Sequence, residues 1–373
     1  MKKRLLLAGA GTAHLEVLAE LARSPLADTE ITLVTPFARQ IYSGMLPGWI
    51  AGHYAIDECT IPIPPLARRA DARLVLAHVA RLDLEQRIAY TESAQVIPFD
   101  VISFDIGPTL DMDALPGLRE HAIALRPLEQ LLAVWQRLVT QLEAAEGPQT
   151  LTIIGGGAGG LELALAIAYR AETAQWPLRV QLLAGAKGLL PEFPPAVQAR
   201  LRAYAGERSV RLIEDDAVEM SRHTVLLADG GELASDVTLV ALGAAAAQWP
   251  RAAGLAVDAN GFIAVNEHLQ SLSHPFVFGA GDCVTMVDHP RPKSGVFAVR
   301  AAPPLARNLR RALAERSLVR YIPQRHALYL ITTGPKVAVA SWRSLSAAGG
   351  WAWRWKDRID RRFVARYLPY TLN

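Results

Sequence analysis

Gly9-Ala-Gly-Thr-Ala-His14 and Gly155-Gly-Gly-Ala-Gly-Gly160 space their glycines so that a backbone turn can receive a pyrophosphate. The first glycine of each set, Gly9 or Gly155, permits a tight turn, and the second, Gly11 or Gly157, lets the main chain approach a phosphate. The residues that follow, Thr12, Ala13 and His14 or Ala158 to Gly160, would open a helix. Its free N–H groups and positive dipole end attract an anion. A third cluster, FVFGAGDC over 276–283, offers Gly281 and Asp282; an aspartate beside glycines at a strand end can accept a hydrogen bond from a polyol. Side chains able to act on a bound group are few. Glu162 follows the last motif glycine closely and either faces a ligand or complements the helix dipole. Positive charge near Asp282 can come from Lys293 and Arg300, or from a helix start near Pro303. The two cysteines, Cys59 and Cys283, lie far apart and form no C-x-x-C pair, so a dithiol centre is not expected and Cys283 reads as structural. No metal site is expected.

The elements needed to position these groups occur twice. RLLLA (4–8) reads as a buried strand before the first turn, with a helical run from about Leu15 to Leu21 after it. TLTII (150–154) and LELALAIAYR repeat the plan around the second turn. Strand-rich sequence follows each unit and ends in a similar phrase, VIPFDVISFDIGPT (96–109) and ELASDVTLVALGAA (232–245), closing at Gly107 and Gly243. Two strand–turn–helix units with matching closing strands predict an α/β protein with two Rossmann-like domains.

Composition narrows the class. The chain has 373 residues, 51% hydrophobic and 20% charged, with a formal net charge of +3. That balance is globular and gives no reason to expect nucleic acid. The charge is uneven: residues 351–367 carry six basic residues against Asp357 and Asp360, a local +4. There Trp351, Trp355, Ile359 and Phe363 recur at four-residue steps, with Trp353 on the opposite side. Such a basic, Trp-bearing helix either lies on a membrane surface or packs on its own domain or a second subunit. The opening MKKRLLLAGAGTAHLEVLAE has signal-peptide features, but cleavage would destroy the first turn. The closest approach to a membrane span, 151–168, is interrupted by three glycines and Glu162.

Taken together, GAGTAH, SFDIG, GGGAGG, VALGA and VFGAGDC resemble the two-dinucleotide-binding flavoproteins, the FAD-dependent pyridine nucleotide oxidoreductases. YSGMLPGWIAGHY (42–54), HPRPKSGVFAVRAAPPLARNLRRAL (289–313) and WRWKDRIDRRF (353–363) are similar to a narrower group. That group resembles type II NADH dehydrogenases and the FAD domain fused in front of selenide, water dikinase. No dikinase portion follows here, and that activity is not expected. The resemblance implies a glutathione-reductase-type fold. A discontinuous FAD domain would take residues 1–125 and 241–320, an NAD(P)H domain 126–240, and a C-terminal hairpin with a basic aromatic helix 321–373. It implies that FAD is held by Gly9, Gly11, Thr12, Ala13, His14, Gly107, Gly281 and Asp282, with Phe297 and Ala298 nearby. NADH or NADPH would be held by Gly155, Gly157, Ala158, Gly160 and Gly243. The segment Tyr42 to Gly48, with Met45 and Pro47, would approach the flavin. Its Gly44 and Gly48 permit close backbone approach, and Pro47 stiffens it.

Three departures from the broad family stand out. The ribose carboxylate that normally ends the second strand is replaced by Thr35 in the first unit, with Arg39 a candidate substitute grip, and by Ala184 and Gly185 in the second. In the first unit His14 stands for the third glycine, so helix and strand should pack less closely there. FAVRAAPP (297–304) replaces the glutamine-bearing phrase associated with quinone, which counts against that acceptor. The leading expectation is an FAD-dependent NAD(P)H oxidoreductase, with Glu162 and Lys293 as catalytic candidates. It passes electrons to a small-molecule, non-disulfide acceptor, in the cytoplasm or peripherally on the inner membrane face. The alternatives are a membrane-peripheral NADH:quinone oxidoreductase and a flavin-binding sensor or scaffold without turnover. A homodimer is compatible with each.

Overall fold

The computed structural model describes residues 2–144 and 147–370. Two five-stranded parallel sheets carry the two glycine turns, and four strands of each follow one order. The fifth, beside the closing strand, comes last in the first unit and first in the second. In the first, Lys3–Ala8 lies between Thr29–Thr35 and Val101–Phe104, with Ala72–Leu76 and Val277–Gly279 at the edges. In the second, Gln149–Ile154 lies between Leu178–Leu183 and Val237–Val240, with Arg211–Ile213 and Ile123–Ala124 outermost. The central strands are apolar almost throughout because both faces of a parallel sheet are covered. Each unit also carries a three-stranded antiparallel meander just before its closing strand, Val79–Pro98 in one and Ala217–Ala234 in the other. The internal repeat is therefore structural. The second sheet begins slightly before the expected boundary at residue 126, since Ile123–Ala124 pairs with Val237–Val240. Beyond that pairing the closing phrases meet: Thr109 and Ala245 exchange two N–H···O bonds of 2.9 Å.

The helix expected to start near Pro303 starts at Gly295 and runs to Leu313, carrying Pro303 and Pro304 inside it. Interior prolines remove two N–H donors and ordinarily break a helix. Here Ala301, Ala302, Leu305, Ala306 and Leu309 form a buried stripe in the core that includes Leu15 and Leu18 of the first-turn helix, Thr12–Arg23. Helices in proteins owe most of their stability to such packing.

Strands Tyr329–Thr332, Ala338–Trp342 and Leu345–Gly349 form a small antiparallel sheet that leads into the helix Gly350–Ala365. Alternate strand residues point to opposite faces. Ala338 and Ala340 accordingly enter the core holding Met45 and Phe363, while Val339 between them enters the core holding Leu46 and Ile50. This sheet closes both cores at once and brings the C-terminal helix to their junction.

Candidate functional site

The second glycine turn follows the expected division of labour. Gly155 has φ +137°, and a Cβ there would lie 2.3 Å from the Ala241 carbonyl oxygen. Gly157, in extended backbone, precedes the helix Ala158–Ala174, and a Cβ there would meet nothing within 4 Å. Gly160 faces inward, where a Cβ would lie 2.0 Å from the Gly155 oxygen. Turn, open approach and helix–strand packing are thus assigned to three different glycines, as a dinucleotide fold requires. Gly243 also borders open space. The loop after Leu178–Leu183 lacks its own carboxylate, but Asp216 and Glu214 reach it from the next strand end. They accept the Ala186 and Leu189 N–H groups at 2.9 Å each, while Lys187 is exposed.

The first turn departs from that plan at one residue. Gly9 (φ +88°) makes the tight turn, and Gly107 (φ +69°) faces open space. A Cβ at Gly11, however, would fall 2.4–2.6 Å from three atoms of the Asp105 carboxylate. Asp105 Oδ2 accepts the N–H groups of Ala13 at 2.6 Å and His14 at 2.9 Å. These are the second and third residues of the helix, the donors that an N-cap side chain normally satisfies. Burial, reinforced by Asp282, lifts this carboxyl to about 7 despite the two amide bonds. His14 does not loosen the packing as its size suggests. It is fully buried, with Nδ1 2.6 Å from the Gly9 oxygen and Nε2 2.8 Å from Ser103 Oγ. The ring fills the gap by hydrogen bonding, and burial pushes it down to about 4, so it is neutral.

The segment expected to approach a flavin is helical. A short turn, Ser43–Met45, runs into the helix Leu46–Ile50, with Pro47 in its first turn and Met45 fully buried. Its glycines do not leave an open face: a Cβ at Gly48 would lie 2.3 Å from the Tyr54 ring, and one at Gly44 would lie 2.9 Å from the Tyr42 ring. They make room for the protein's own aromatics. Tyr42 stacks on Phe363 with ring centroids 4.4 Å apart, and its hydroxyl bonds Asp360. Lys356 Nζ lies 2.5 Å from both Asp360 Oδ2 and the Gly44 oxygen. Glu162 completes this junction, accepting the Thr332 N–H and Oγ–H at 2.8 Å each. Burial raises both Glu162 and Asp360, with Lys356 opposing the rise in each case. Glu162 therefore faces the junction of the two units and the C-terminal sheet.

The remaining candidates divide between two places. Gly281 (φ +77°), Asp282, Lys293, Phe297 and Ala298 border a cavity of about 50 Å³. Lys293 is tied to the Val284 oxygen and Thr285 Oγ, with Nζ 3.8 Å from the centre of the Phe262 ring. It lowers the carboxyl of Asp282, which burial nonetheless holds above its ordinary range. Thr35 is buried at the end of its strand, whereas Arg39 is exposed, its charge felt by Glu129. Four participants escape a reading by motif. Asp105 lies inside the quoted SFDIG but reads as the end of an apolar strand. Lys356 and Asp360 read as part of a solvated basic helix, although their four-residue spacing is that of a helical ion pair. Thr332 carries no local signal at all.

The C-terminal helix segregates differently from its sequence reading: Phe363, expected on the face of Trp351, Trp355 and Ile359, is buried against Tyr42. Trp353 is buried beside Tyr54 and His53, on the packed side. Trp351, Trp355 and Ile359 are 43–45% exposed, and Arg354, Arg358 and Arg362 are exposed with them. Among the described residues no helix is long and apolar enough to cross a membrane.

The second turn fits a dinucleotide as it stands, through Gly155 and the open faces at Gly157 and Gly243. The first has the tight turn at Gly9, the open face at Gly107 and Asp282 at the Gly281 turn for a pyrophosphate and polyol, with its Ala13 and His14 amides held by Asp105. Comparison with known proteins agrees. The model of the family described as "Pyridine nucleotide-disulphide oxidoreductase" matches residues 3–302. Among solved structures, the sulfide:quinone oxidoreductase of Aquifex aeolicus superposes with a TM-score of 0.82 at 18% identity, covering 99% of this chain and 92% of that one. Ferroptosis suppressor protein 1 of Xenopus laevis is 23% identical over 260 residues, 66% of this chain and 65% of that protein. The type II NADH:quinone oxidoreductase of Haemophilus influenzae is 23% identical over 225 residues, 52% of this chain and 51% of that protein. The matched portion spans less than two thirds of these curated relatives. The chain belongs to the pyridine nucleotide-disulphide oxidoreductase family.

Proposed function

We propose that the protein is an FAD-dependent NAD(P)H oxidoreductase that passes electrons to a quinone at a membrane surface. The observation that carries this reading is the doubled turn. Two strand–glycine–helix units of one design sit in one chain, bridged at Thr109 and Ala245, and their family works on pyridine nucleotides. FAD would be held by the first turn together with Gly107, Gly281 and Asp282, and the nicotinamide nucleotide by Gly155, Gly157, Gly160 and Gly243. When bound, the flavin supplies the two-electron centre that accepts hydride and releases electrons singly or in pairs.

The chain's own groups orient and balance charge around that centre. Lys293 supplies a cation beside Asp282 where negative charge would otherwise accumulate. Glu162 is a carboxyl held toward its neutral form by burial, so at the junction it can keep or release a proton as an acceptor is reduced. Lys356 and Asp360 fix the Tyr42 segment against the C-terminal helix. A disulfide acceptor has no counterpart here: Cys59 and Cys283 are free and buried, and burial pushes both thiols up to about 12.

The quinone assignment rests on the outer face of the C-terminal helix. Trp351, Trp355 and Ile359 beside three arginines form a narrow apolar stripe with basic flanks, suited to an anionic lipid interface. Two of the proteins compared above carry quinone in their names. Anaerobic stopped-flow mixing with NADH or NADPH tests the first half: bleaching of flavin absorbance is expected, and its absence with both would overturn the dehydrogenase reading. Sedimentation with anionic liposomes tests the second. Trp351→Ala/Trp355→Ala/Ile359→Ala should leave the pellet while retaining NADH-dependent flavin bleaching. Equal pelleting of variant and wild type would exclude this face as the docking surface.

A further inference from the structure

A carboxyl group occupies the amides that a glycine turn normally offers to phosphate. Asp105 Oδ2 holds the Ala13 and His14 N–H groups, and its Oδ1 is wedged between two turns: a Cβ at Gly11 or at Gly281 would fall 2.4 Å from it. Both turns belong to the proposed flavin site. An ionised carboxylate there repeats the charge of the ligand. It cancels much of the positive helix end that would attract a pyrophosphate dianion.

We propose that Asp105 carries a proton whenever the first turn holds FAD, so that flavin binding takes up one proton and weakens as the pH rises above neutrality. The inference rests on the first turn being the FAD site.

The surroundings leave no other way to balance the charge. On the helix, His14 faces the group, but its ring is spent on the Gly9 oxygen and Ser103 Oγ and is neutral. On the strand side Ser103 is uncharged. From the Gly281 turn comes Asp282, of the same sign, which draws on Arg126 and Lys293 for its own compensation. Cys283 is a neutral thiol. Asp105 is already lifted to about 7 by burial and Asp282, and a further dianion on the same turn raises it again. The neutral acid also gains a function: with Oδ2 accepting the two amides, the protonated oxygen becomes a donor to phosphate.

The linkage has a definite sign. Below about pH 6 Asp105 is protonated with or without flavin, and no proton is exchanged. Between about pH 7 and the higher value reached in the complex, each FAD bound takes up close to one proton, so its Kd rises about tenfold per pH unit. Asparagine at this position copies the neutral acid, keeping an acceptor for the amides and offering an N–H donor.

The test is calorimetric titration of FAD into the flavin-stripped full chain at pH 6, 7, 8 and 9, in phosphate and in Tris, whose different ionisation heats count protons. Wild type should take up about one proton per FAD at pH 8 and about none at pH 6. Asp105→Asn should take up about none, with its Kd changing less than about twofold over the range. Asp282→Asn should keep an uptake near that of wild type. An uptake near zero in wild type at pH 8 would overturn the proposal, whatever the variants do. Uptake that persists in Asp105→Asn and disappears in Asp282→Asn would move the proton to Asp282 and overturn it equally. Failure of FAD to bind at every pH would instead remove the flavin reading of the first turn, and this proposal with it.

Discussion

Alanine at Gly157 and alanine at Gly160 should separate ligand binding from packing within one motif. At Gly157 the added methyl meets nothing within 4 Å. Ala is a poorer helix cap than Gly by some tenths of a kcal/mol, and it narrows the unfolded ensemble by about 0.4–1 kcal/mol. These terms oppose, so stability should change by less than about 0.5 kcal/mol. At Gly160 the methyl would sit 2.0 Å from the Gly155 oxygen, where ordinary contact begins at 3.4 Å. The helix Ala158–Ala174 must therefore shift by more than an ångström from its strand. Overpacking of that kind costs up to about 3 kcal/mol, against roughly 1 kcal/mol gained in helix propensity. For a chain of 373 residues unfolding as one unit, a net loss of about 2 kcal/mol corresponds to an unfolding temperature lower by roughly 2–3 °C. Binding should show a different pattern. The Gly157→Ala methyl occupies the open approach, and NAD(P)H affinity should fall at least about tenfold, or about 1.4 kcal/mol. Tryptophan-monitored thermal unfolding and titration of flavin bleaching by NADH measure the two quantities on the same samples. If Gly157→Ala unfolds as early as Gly160→Ala, or binds NADH like wild type, the open face is not a ligand face.

Other expectations follow from buried charge. Lys356→Met should destabilise the protein by about 3 kcal/mol in denaturant titrations, since Asp360 is left buried without its cation; the double variant with Asp360→Asn should recover most of the loss. Asp105 in the flavin-free chain is raised from the ordinary 3.8 to about 7, so its stabilising share is complete below about pH 4 and lost as pH rises to about 7. The stability of Asp105→Asn relative to wild type should therefore climb between pH 4 and 7 and level off above; a difference that stays flat would contradict the burial argument. Asp216 and Glu214 border the loop where a ribose hydroxyl is normally gripped. NADH should be preferred over NADPH by about tenfold in kcat/KM, and Asp216→Asn should narrow the ratio; equal wild-type use of the two would refute this. Arg39→Ala should lower FAD occupancy after purification if the exposed guanidinium meets the adenosine end, and unchanged occupancy would exclude it.

The architecture was legible because its signals are local and periodic. Continuous apolar runs such as RLLLA mark strands covered on both faces, and glycines at fixed spacing mark turns whose geometry no other residue adopts. The repeated closing phrases predicted two units of one plan, and the order shared by four strands of each sheet bears this out. Misreadings arose where tertiary packing overrode a local rule. Two prolines should have begun a helix, but a buried alanine and leucine stripe carries the helix through them. Gly44 and Gly48 suggested an open face, but Tyr42 and Tyr54 fill the space. Trp353 looked misplaced on the basic helix until its packed side was seen.

By itself, then, the sequence determined the fold class, the doubled dinucleotide plan and the family, since each depends on residues within a few positions of one another. The chemistry around those turns was decided only in three dimensions. Asp105 reaches amides 92 residues away, Glu162 is held by Thr332 from 170 residues away, and Lys356 bonds the Gly44 oxygen across 312. A buried polar group is stable only where folding brings it a partner, and the pairing of partners so distant in the chain leaves no periodic trace in the sequence.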